Sequence, residues 1–266
     1  MIDIDGFERF LYEEELSKNT CDSYLYALRN FAADHSEVNK VNVVLWKQKL
    51  INEKAPKTVN LRLSAMEKYC RFKGIELHVK RVRIQKPISV EDVITLEEYK
   101  RLLDGLISEN NTRYAIIVAL MSKTGARISE VTRLKKRDLK NGYVDLRSKG
   151  KIRRIYFPES VGQQMEEWVK GLSDDEYLCQ NRYGKKISAR AVSKYLKECA
   201  KRFDIPEKHL HPHAFRHMFA IEFLKRNKNI SFLADILGHT GLNTTMIYLR
   251  MSQEQQRQEI DKSVDW

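Results

Sequence analysis

The chain has 266 residues, of which 42% are hydrophobic, and it carries a net charge of +12 with a sequence pI near 9.4. This length accommodates one large domain or two ordinary ones, and the apolar content supports a folded core. The positive charge indicates an anionic partner such as nucleic acid, with a merely basic protein as the alternative.

Composition also argues against two classes of protein. The four cysteines form no CxxC motif and no regular framework, so a disulfide scaffold is not expected. There is no signal peptide and no apolar run of membrane-spanning length. We therefore expect a cytoplasmic protein without a membrane partner, and binding to DNA would add a nucleoid location.

The first 80 residues are predicted to form four helices. Ser17 or Asn19 is positioned to cap the second helix, and Gly74 to end the fourth. The four segments are FERFLYEEEL, CDSYLYALRNFAADH, VNVVLWKQKLINEK and TVNLRLSAMEKYCRFKG.

Charge is distributed unevenly over this region. Residues 1–40 carry 4 basic and 9 acidic side chains, whereas residues 41–90 carry 12 basic and 3 acidic ones. Because cations that neutralise phosphates supply most non-specific affinity, we expect the stretch from Trp46 to Pro87 to face DNA. The candidate contacts are Lys57, Arg62, Arg81, Arg83 and Lys86. The basic segment RVRIQKP leads into a predicted linker over residues 86–91, between domains at 1–85 and 92–266.

The second domain is predicted to open with a helix at ITLEEYKRLL, where Thr95 and Glu98 have the spacing of a capping box. Apolar helices follow, and a short β-hairpin is expected around residues 143–157. Two more helices are predicted at PESVGQQMEEWVKGL, with Pro158 near its first turn, and at SARAVSKYLKECAKRF, capped by Ser188.

The segment HPHAFRHMFA places His213 and Arg216 three residues apart. On a helix this spacing puts both side chains on one face, where they can reach a single anion. Phe215, Phe219 and Phe223 recur at a spacing of four and predict a core stripe that would hold this helix in place.

The three histidines of HLHPH allow a metal site as an alternative. Pro212 breaks their periodicity, and the usual zinc spacings are absent. No metal and no other cofactor is therefore expected.

A second group of polar residues lies in LGHTGLNTTMIY. His239 and Tyr248 are nine residues apart, on either side of a Gly-rich turn between two short predicted helices. Asn243 or Thr244 is predicted to cap the second of these helices. The stretch ISFLADILGHTGLNTTMIYLR is also compatible with a helix-turn-helix, which would make the chain a non-catalytic DNA-binding regulator.

Together these residue types suit chemistry on a phosphodiester. Two guanidiniums, Arg127 in TGARISEV and Arg216, can clamp phosphate oxygens. A histidine can move a proton near neutral pH, and a tyrosine hydroxyl can bond covalently to phosphorus. The sequence has no Walker lysine loop, which agrees with chemistry that needs no Mg²⁺.

Four segments in fixed order, TGARISEV, SKGKIRRIYFP, HPHAFRHMFA and LGHTGLNTTMIYLR, resemble the tyrosine recombinase (phage integrase) family, of the small Xer-like or simple integrase type. The resemblance covers roughly residues 10–255, and LSKNTCDSYLYALRNF resembles the family's core-binding domain. It implies a mainly α fold, with an N-terminal four-helix (SAM-like) domain and a mostly helical catalytic domain containing a small β-sheet. No arm-binding domain is expected.

The resemblance implies six catalytic residues. Arg127 and Arg216 are expected to bind the phosphate, His213 to act as general base or proton shuttle, His239 to donate to the phosphate, Tyr248 to act as nucleophile, and Lys149 to protonate the leaving 5′ oxygen. Lys151 is the alternative to Lys149. Glu130 is expected to orient Arg127.

The implied activity is site-specific recombination of double-stranded DNA through a 3′-phosphotyrosyl intermediate, for integration and excision or for dimer resolution. The implied partners are short inverted-repeat core sites and three further protomers in the synapse, with a partner recombinase or accessory factor left open. The tail from Met251 to Trp266 either docks on a neighbouring protomer or frays. A type IB topoisomerase-like relaxing enzyme and a metal-dependent nuclease are further alternatives.

Overall fold

The computed structural model describes residues 2–84, 92–148, 151–239, 241–249, 260–261 and 263–264. The chain divides into two compact units, residues 1–86 and residues 87–266. The predicted linker at 86–91 lies outside the described residues, as do Lys86, Lys149 and Trp266.

Four helices form the N-terminal unit, as the sequence predicts. Its core includes Phe7, Phe31, Trp46 and Met66, each at most 1% exposed. The helices are α1 (Ile4–Glu13), α2 (Lys18–Asp34), α3 (Lys40–Glu53) and α4 (Pro56–Phe72).

Local signals in the sequence account for the ends of these helices. The side chain of Ser17 accepts a hydrogen bond from the backbone of Thr20, so Ser17 caps α2 and Asn19 lies inside the helix. Helix α4 begins at Pro56, before the predicted segment, because the fixed φ of proline suits a first helical turn. Gly74 follows α4 with a φ of +66°, in the left-handed conformation that ends helices.

The second unit is mostly helical and contains one small sheet, which confirms the predicted fold class. The strands β1 (Tyr143–Ser148) and β2 (Lys151–Tyr156) are antiparallel, with Leu146 opposite Arg153. The helices are α5 (Leu96–Ser108), α6 (Thr112–Thr124), α7 (Ile128–Val131), α8 (Lys136–Lys140), α9 (Glu159–Trp168), α10 (Ala189–Arg202), α11 (Pro212–Arg226), α12 (Ile230–Leu237) and α13 (Leu242–Thr245), with 3₁₀ turns at Glu207–His209 and Met246–Leu249.

Helix α6 lies in the core of this unit. Its residues 115–121 are at most 4% exposed, and a helix that is apolar on every face must be surrounded by other elements. It packs against α5, α9 and α11. The helix ends at Gly125, whose φ of +61° turns the chain sharply before Arg127. The core therefore fixes the position from which Arg127 projects.

The predicted caps of the second unit are correct at two helices and wrong at one. Thr95 and Glu98 form the capping box of α5, and Ser188 caps α10. The cap predicted at Asn243 or Thr244 is wrong, because both residues lie inside α13, which begins at Leu242. Gly241 is the N-cap in an extended conformation, a position that glycine occupies readily without a side-chain hydrogen bond.

Two expectations drawn from composition can be compared with the structure. All four cysteines are buried and free. In the described ranges, no helix combines the length and the apolarity needed to cross a bilayer.

Candidate active site

Helix α11 brings the polar side chains of His213, Arg216 and His217 together at one centre, the candidate active site. His211 is its N-cap, with Nδ1 accepting a backbone N–H of the first turn at 3.2 Å, and Pro212 occupies the first helical position. His213, Arg216 and His217 follow on the helix. Because His213 and His217 are four residues apart, their rings meet edge to face, with centroids 4.3 Å apart.

Arg216 is 1% exposed, which is rare for a cation and requires hydrogen-bond partners. Its Nη1 donates to the Gly125 carbonyl at 2.8 Å, and its Nη2 donates to the Leu237 carbonyl at 2.6 Å. Burial, followed by the charges of Arg153 and Arg127, lowers the pKa of Arg216 to about 9, so the guanidinium stays charged at neutral pH.

Arg127 is the more accessible arginine of the predicted pair, with 43% of its side chain exposed. Its Nη1 donates to Glu130 Oε1 at 3.1 Å, and its Nη2 donates to the Gly238 carbonyl at 3.4 Å. Burial opposes ionisation of Glu130, but the charges of Arg153 and Arg127 outweigh it and lower the pKa of Glu130. The carboxylate is therefore charged and holds Arg127 in place, in agreement with the orienting role expected for Glu130.

Arg153 belongs to this centre, although the sequence analysis missed it. It is 9% exposed, its Nη1 donates to the buried carboxylate of Glu130, and its Nε and Nη2 both donate to the Ile236 carbonyl. It also packs so closely on Gly238 that a Cβ there would lie 2.6 Å from Arg153 Cδ. A signal was present: along β2, Arg153 alternates in step with the buried Ile155, so its side chain points inward.

His239 lies between Arg216 and the short helix α13. Its Nε2 is 2.9 Å from Arg216 Nη2, and its Nδ1 is 2.8 Å from the hydroxyl of the buried Thr245. A guanidinium can only donate, so Nε2 must accept and Nδ1–H must donate to Thr245. Burial and then the charges of Arg216 and Arg127 lower the pKa of His239 to about 4. The predicted donation from His239 to a phosphate is therefore not available in this arrangement.

Tyr248 reaches the centre from the final 3₁₀ turn of its own chain. It is 8% exposed, and its Oη lies 2.8 Å from Nδ1 of His217, a residue that the sequence analysis did not single out. Burial raises the pKa of Tyr248, and the charge of Arg216 partly offsets this increase. His213, the predicted proton carrier, is exposed and contacts His217. The spacing of four from His213 was the available signal for His217.

The basic residues predicted to contact DNA differ in their surroundings. Contrary to expectation, Arg62 is 9% exposed and its guanidinium carbon lies 4.9 Å from the centroid of the Tyr26 ring. Arg81 is exposed, but its guanidinium donates to the Asn60 carbonyl and pairs with a carboxylate, Glu67 Oε2, each at 2.5 Å.

Local packing explains the pairing of Arg81. The segment that carries Arg81 runs back along α4. There the side-chain Nδ2 of Asn60 donates to the Val82 carbonyl, and its Oδ1 accepts the Val82 backbone N–H. Lys57 and Arg83 are exposed, and Lys86 is outside the described residues.

The metal site and the recognition helix that two sequence motifs allowed find no support in the part of the chain that the structure describes. Among the described residues, no group of three or more metal-ligating side chains could hold an ion. His211 is used as the cap of α11, and His209 pairs with Glu98. Helix α13 has 4 residues, too few for the recognition helix of a helix-turn-helix.

Both units of the chain match proteins of one family. Residues 92–255 match the phage integrase family, and residues 4–76 match the N-terminal SAM-like domain of phage integrases. The chain is 31% identical to tyrosine recombinase XerA of Thermococcus kodakarensis, across 98% of this chain and 94% of the relative. It is 28% identical to tyrosine recombinase XerA of Pyrococcus furiosus, across 98% and 93%.

A solved structure shares the fold. A lambda integrase dimer bound to a COC′ core site superposes with a TM-score of 0.76 at 16% identity, over 99% of this chain and 96% of that chain. The matches confirm the resemblance identified from the motifs.

Proposed function

The chain belongs to the phage integrase family and is a tyrosine site-specific recombinase, and from this premise we propose how its residues cut and rejoin DNA. Tyr248 attacks the scissile phosphate, the 5′-hydroxyl leaves, and a 3′-phosphotyrosyl bond conserves the energy of the broken ester. A 5′-hydroxyl of the partner duplex then attacks this bond and completes the strand exchange. One ester replaces another, so neither ATP nor a metal is required.

A single observation supports this assignment most directly: Tyr248 lies in the same centre as Arg216, within one chain. Oη of Tyr248 contacts a residue adjacent to Arg216, and the charge of Arg216 acts on the phenol. Arg127 adds a second guanidinium whose exposed side chain is accessible to a phosphate. Donors fixed before the substrate arrives stabilise the negative charge that grows on the phosphoryl oxygens.

We assign the remaining roles from the matched motifs. Lys149 protonates the leaving 5′ oxygen, and His213 and His239 complete the set around the phosphate. Because Nε2 of His239 accepts from Arg216 and carries no proton, donation from His239 to the phosphate requires that this contact opens and that Nε2 gains a proton when DNA binds.

Double-stranded DNA with short inverted-repeat core sites is the proposed substrate, bound by two protomers at each site and four in the synapse. The net charge of +12 and the basic stretch over residues 41–90 support this proposal. We retain Lys57, Arg83 and Lys86 as backbone contacts. Such a protein would act in the cytoplasm, associated with the nucleoid, in integration and excision or in dimer resolution.

A capture experiment tests the proposal and identifies the DNA site at the same time. Nicked duplexes with random internal sequence are incubated with the protein, and covalent adducts are recovered under denaturing conditions and sequenced. We expect an adduct at Tyr248, identified by mass spectrometry of the digested protein, and the same yield in EDTA. Tyr248→Phe should bind the selected DNA but form no adduct.

Each alternative function predicts a different result. A regulator would bind without an adduct, and a metal-dependent nuclease would lose cleavage in EDTA. A relaxing enzyme would act equally on plasmids that lack the selected sequence. An adduct on a residue other than Tyr248 would refute the assignment of the nucleophile.

A further inference from the structure

The C-terminal end of α12 gathers three arginines. Three consecutive carbonyls there each accept hydrogen bonds from a different guanidinium. The pairs are Arg153 with Ile236 at 3.2 and 2.8 Å, Arg216 with Leu237 at 2.6 Å, and Arg127 with Gly238 at 3.4 Å. The last carbonyls of a helix lack partners within the helix and lie at its negative end, so they suit cations. Two of these arginines are the predicted phosphate-binding pair, and Arg153 is a third.

Arg153 also holds the carboxylate that orients Arg127. Its Nη1 donates to Oε2 of Glu130. Arg127 donates to the same carboxylate twice, through its backbone N–H to Oε2 at 2.7 Å and through Nη1 to Oε1 at 3.1 Å. The Gly238 carbonyl that Arg127 bonds lies two residues from the Ile236 carbonyl that Arg153 bonds. The contacts therefore form a closed cycle, and a change at Arg153 acts on Arg127 from both sides.

Within this cycle, one negative charge faces two positive ones. Burial opposes the ionisation of Glu130, and of the two charges that lower its pKa, that of Arg153 acts more strongly than that of Arg127. The side chain of Arg153 is buried with the carboxylate, whereas that of Arg127 is 43% exposed. The charge of Glu130 is therefore balanced mainly by Arg153. Arg127 keeps its positive charge for an anion that reaches it from solvent.

We propose that Arg153 is a positioning residue of the cleavage reaction, which takes up the charge of Glu130 so that Arg127 offers an uncancelled positive charge to the scissile phosphate. This inference rests on the proposed function and adds a residue that acts through Arg127. Negative charge grows on the phosphoryl oxygens as the phosphate is attacked, so the charge of Arg127 stabilises the transition state more than the bound substrate. Loss of Arg153 therefore slows the chemical step more than it weakens DNA binding.

Two substitutions test the charge of Arg153. Arg153→Met keeps an unbranched side chain but removes the charge, and Arg153→Lys keeps the charge beside Glu130. We expect single-turnover cleavage of the captured duplex to fall about tenfold or more in Arg153→Met, with DNA affinity within about threefold of the unmodified protein. Arg153→Lys should cleave within about threefold of the unmodified protein, because it still balances the carboxylate.

A change in the substrate separates charge from shape. A duplex with a methylphosphonate at the scissile position carries no negative charge there, so formation of its covalent adduct depends less on the charge of Arg127. On this duplex the loss in Arg153→Met should shrink to about threefold or less. A misplaced guanidinium, or a partly unfolded protein, would instead reduce cleavage of both duplexes by the same factor.

The neighbouring Arg154 offers a matched control. It lies on the opposite face of β2, where it is exposed and donates to both carboxylate oxygens of Asp145, at 2.8 and 2.7 Å. Arg154→Met removes the same charge from the protein without changing the surroundings of Glu130, and cleavage of both duplexes should stay within about twofold. Thermal unfolding checks that each variant folds. If Arg153→Met unfolds, Arg153→Gln replaces it, since an amide can still hydrogen-bond the carboxylate without balancing its charge.

Several outcomes would overturn the inference. Cleavage by Arg153→Met at the rate of the unmodified protein would show that the charge of Arg153 is dispensable. Equal losses on the two duplexes, or an equal loss in Arg153→Lys, would show that only its shape matters. The same pattern in Arg154→Met would make the effect one of overall charge. Failure of the unmodified protein to form any adduct would instead refute the proposed function, which makes the two failures distinguishable.

Discussion

Each unit contains a glutamate that brings two cations together, but the two glutamates lie in opposite environments. In the N-terminal unit, Glu14 lies 2.6 Å from Lys68 and 3.8 Å from Arg71, with 28% of its side chain exposed. In the catalytic unit, Glu130 joins Arg127 and Arg153 and is 8% exposed. Water can replace the partners of Glu14 if its ion pairs break, whereas it cannot easily reach the buried pair of Glu130 and Arg153.

The two units therefore differ in how many charged side chains they bury. The N-terminal unit keeps its ion pairs at the edge of an apolar core, where each contributes little. The catalytic unit buries Glu130, Arg153 and Arg216 at a desolvation cost, which the apolar packing around α6 offsets. In return, the cations are oriented before the substrate arrives, and no solvent has to reorganise during the reaction.

The largest effect is expected from Glu130→Gln. It leaves the guanidinium of Arg153 buried without a counter-ion, which typically costs about 3–5 kcal/mol, and it releases Arg127. We expect the free energy of unfolding, measured in urea, to fall by this order and strand cleavage to fall at least about tenfold. The double variant Glu130→Leu/Arg153→Met should recover much of the stability but not the cleavage. A loss below about 1 kcal/mol in the single variant would contradict a buried ion pair.

An effect of intermediate size is expected in the pH dependence of the free energy of unfolding. The pKa of His239 is about 4 in the folded chain, below the ordinary value near 6.5 that it would regain on unfolding. The unfolded state therefore binds more protons, so this contribution to stability is present above pH 6.5 and is lost as the pH falls towards 4. The slope is at most about 1.4 kcal/mol per pH unit for one such group.

Urea titrations between pH 4.5 and 6.5 would measure this slope. His239→Gln should flatten it without abolishing it, because His217 has a similarly lowered pKa. Equal slopes in the two proteins would show that His239 is not held neutral by its surroundings.

The smallest effect is expected from Glu14→Gln, the surface counterpart of Glu130→Gln. Lys68 and Arg71 keep 19% and 71% of their side chains exposed, so water can reach both when the carboxylate is removed, and partly exposed ion pairs of this kind contribute little. The melting temperature should change by no more than about 1–2 °C, and cleavage should be unchanged. A loss as large as that of Glu130→Gln would remove the distinction between the two regions.

The local features of this protein could be predicted from its sequence. The capping residues Ser17, Thr95 and Ser188 act within one helical turn, so their chemistry does not depend on the rest of the fold. The same holds for the β-hairpin and the four N-terminal helices. The site motifs were also recognisable, because their order along the chain carries the family resemblance.

Tertiary structure alone decided which side chains meet. That Tyr248 contacts His217 rather than His213 depends on how a 3₁₀ turn packs on a helix 31 residues earlier. Arg62 shows the same limit, since its charge predicted a surface contact, yet its side chain is 9% exposed and its guanidinium lies over the Tyr26 ring. Sequence patterns report which residues are available and on which local face they lie. Burial and pairing depend on long-range packing, which no local pattern contains.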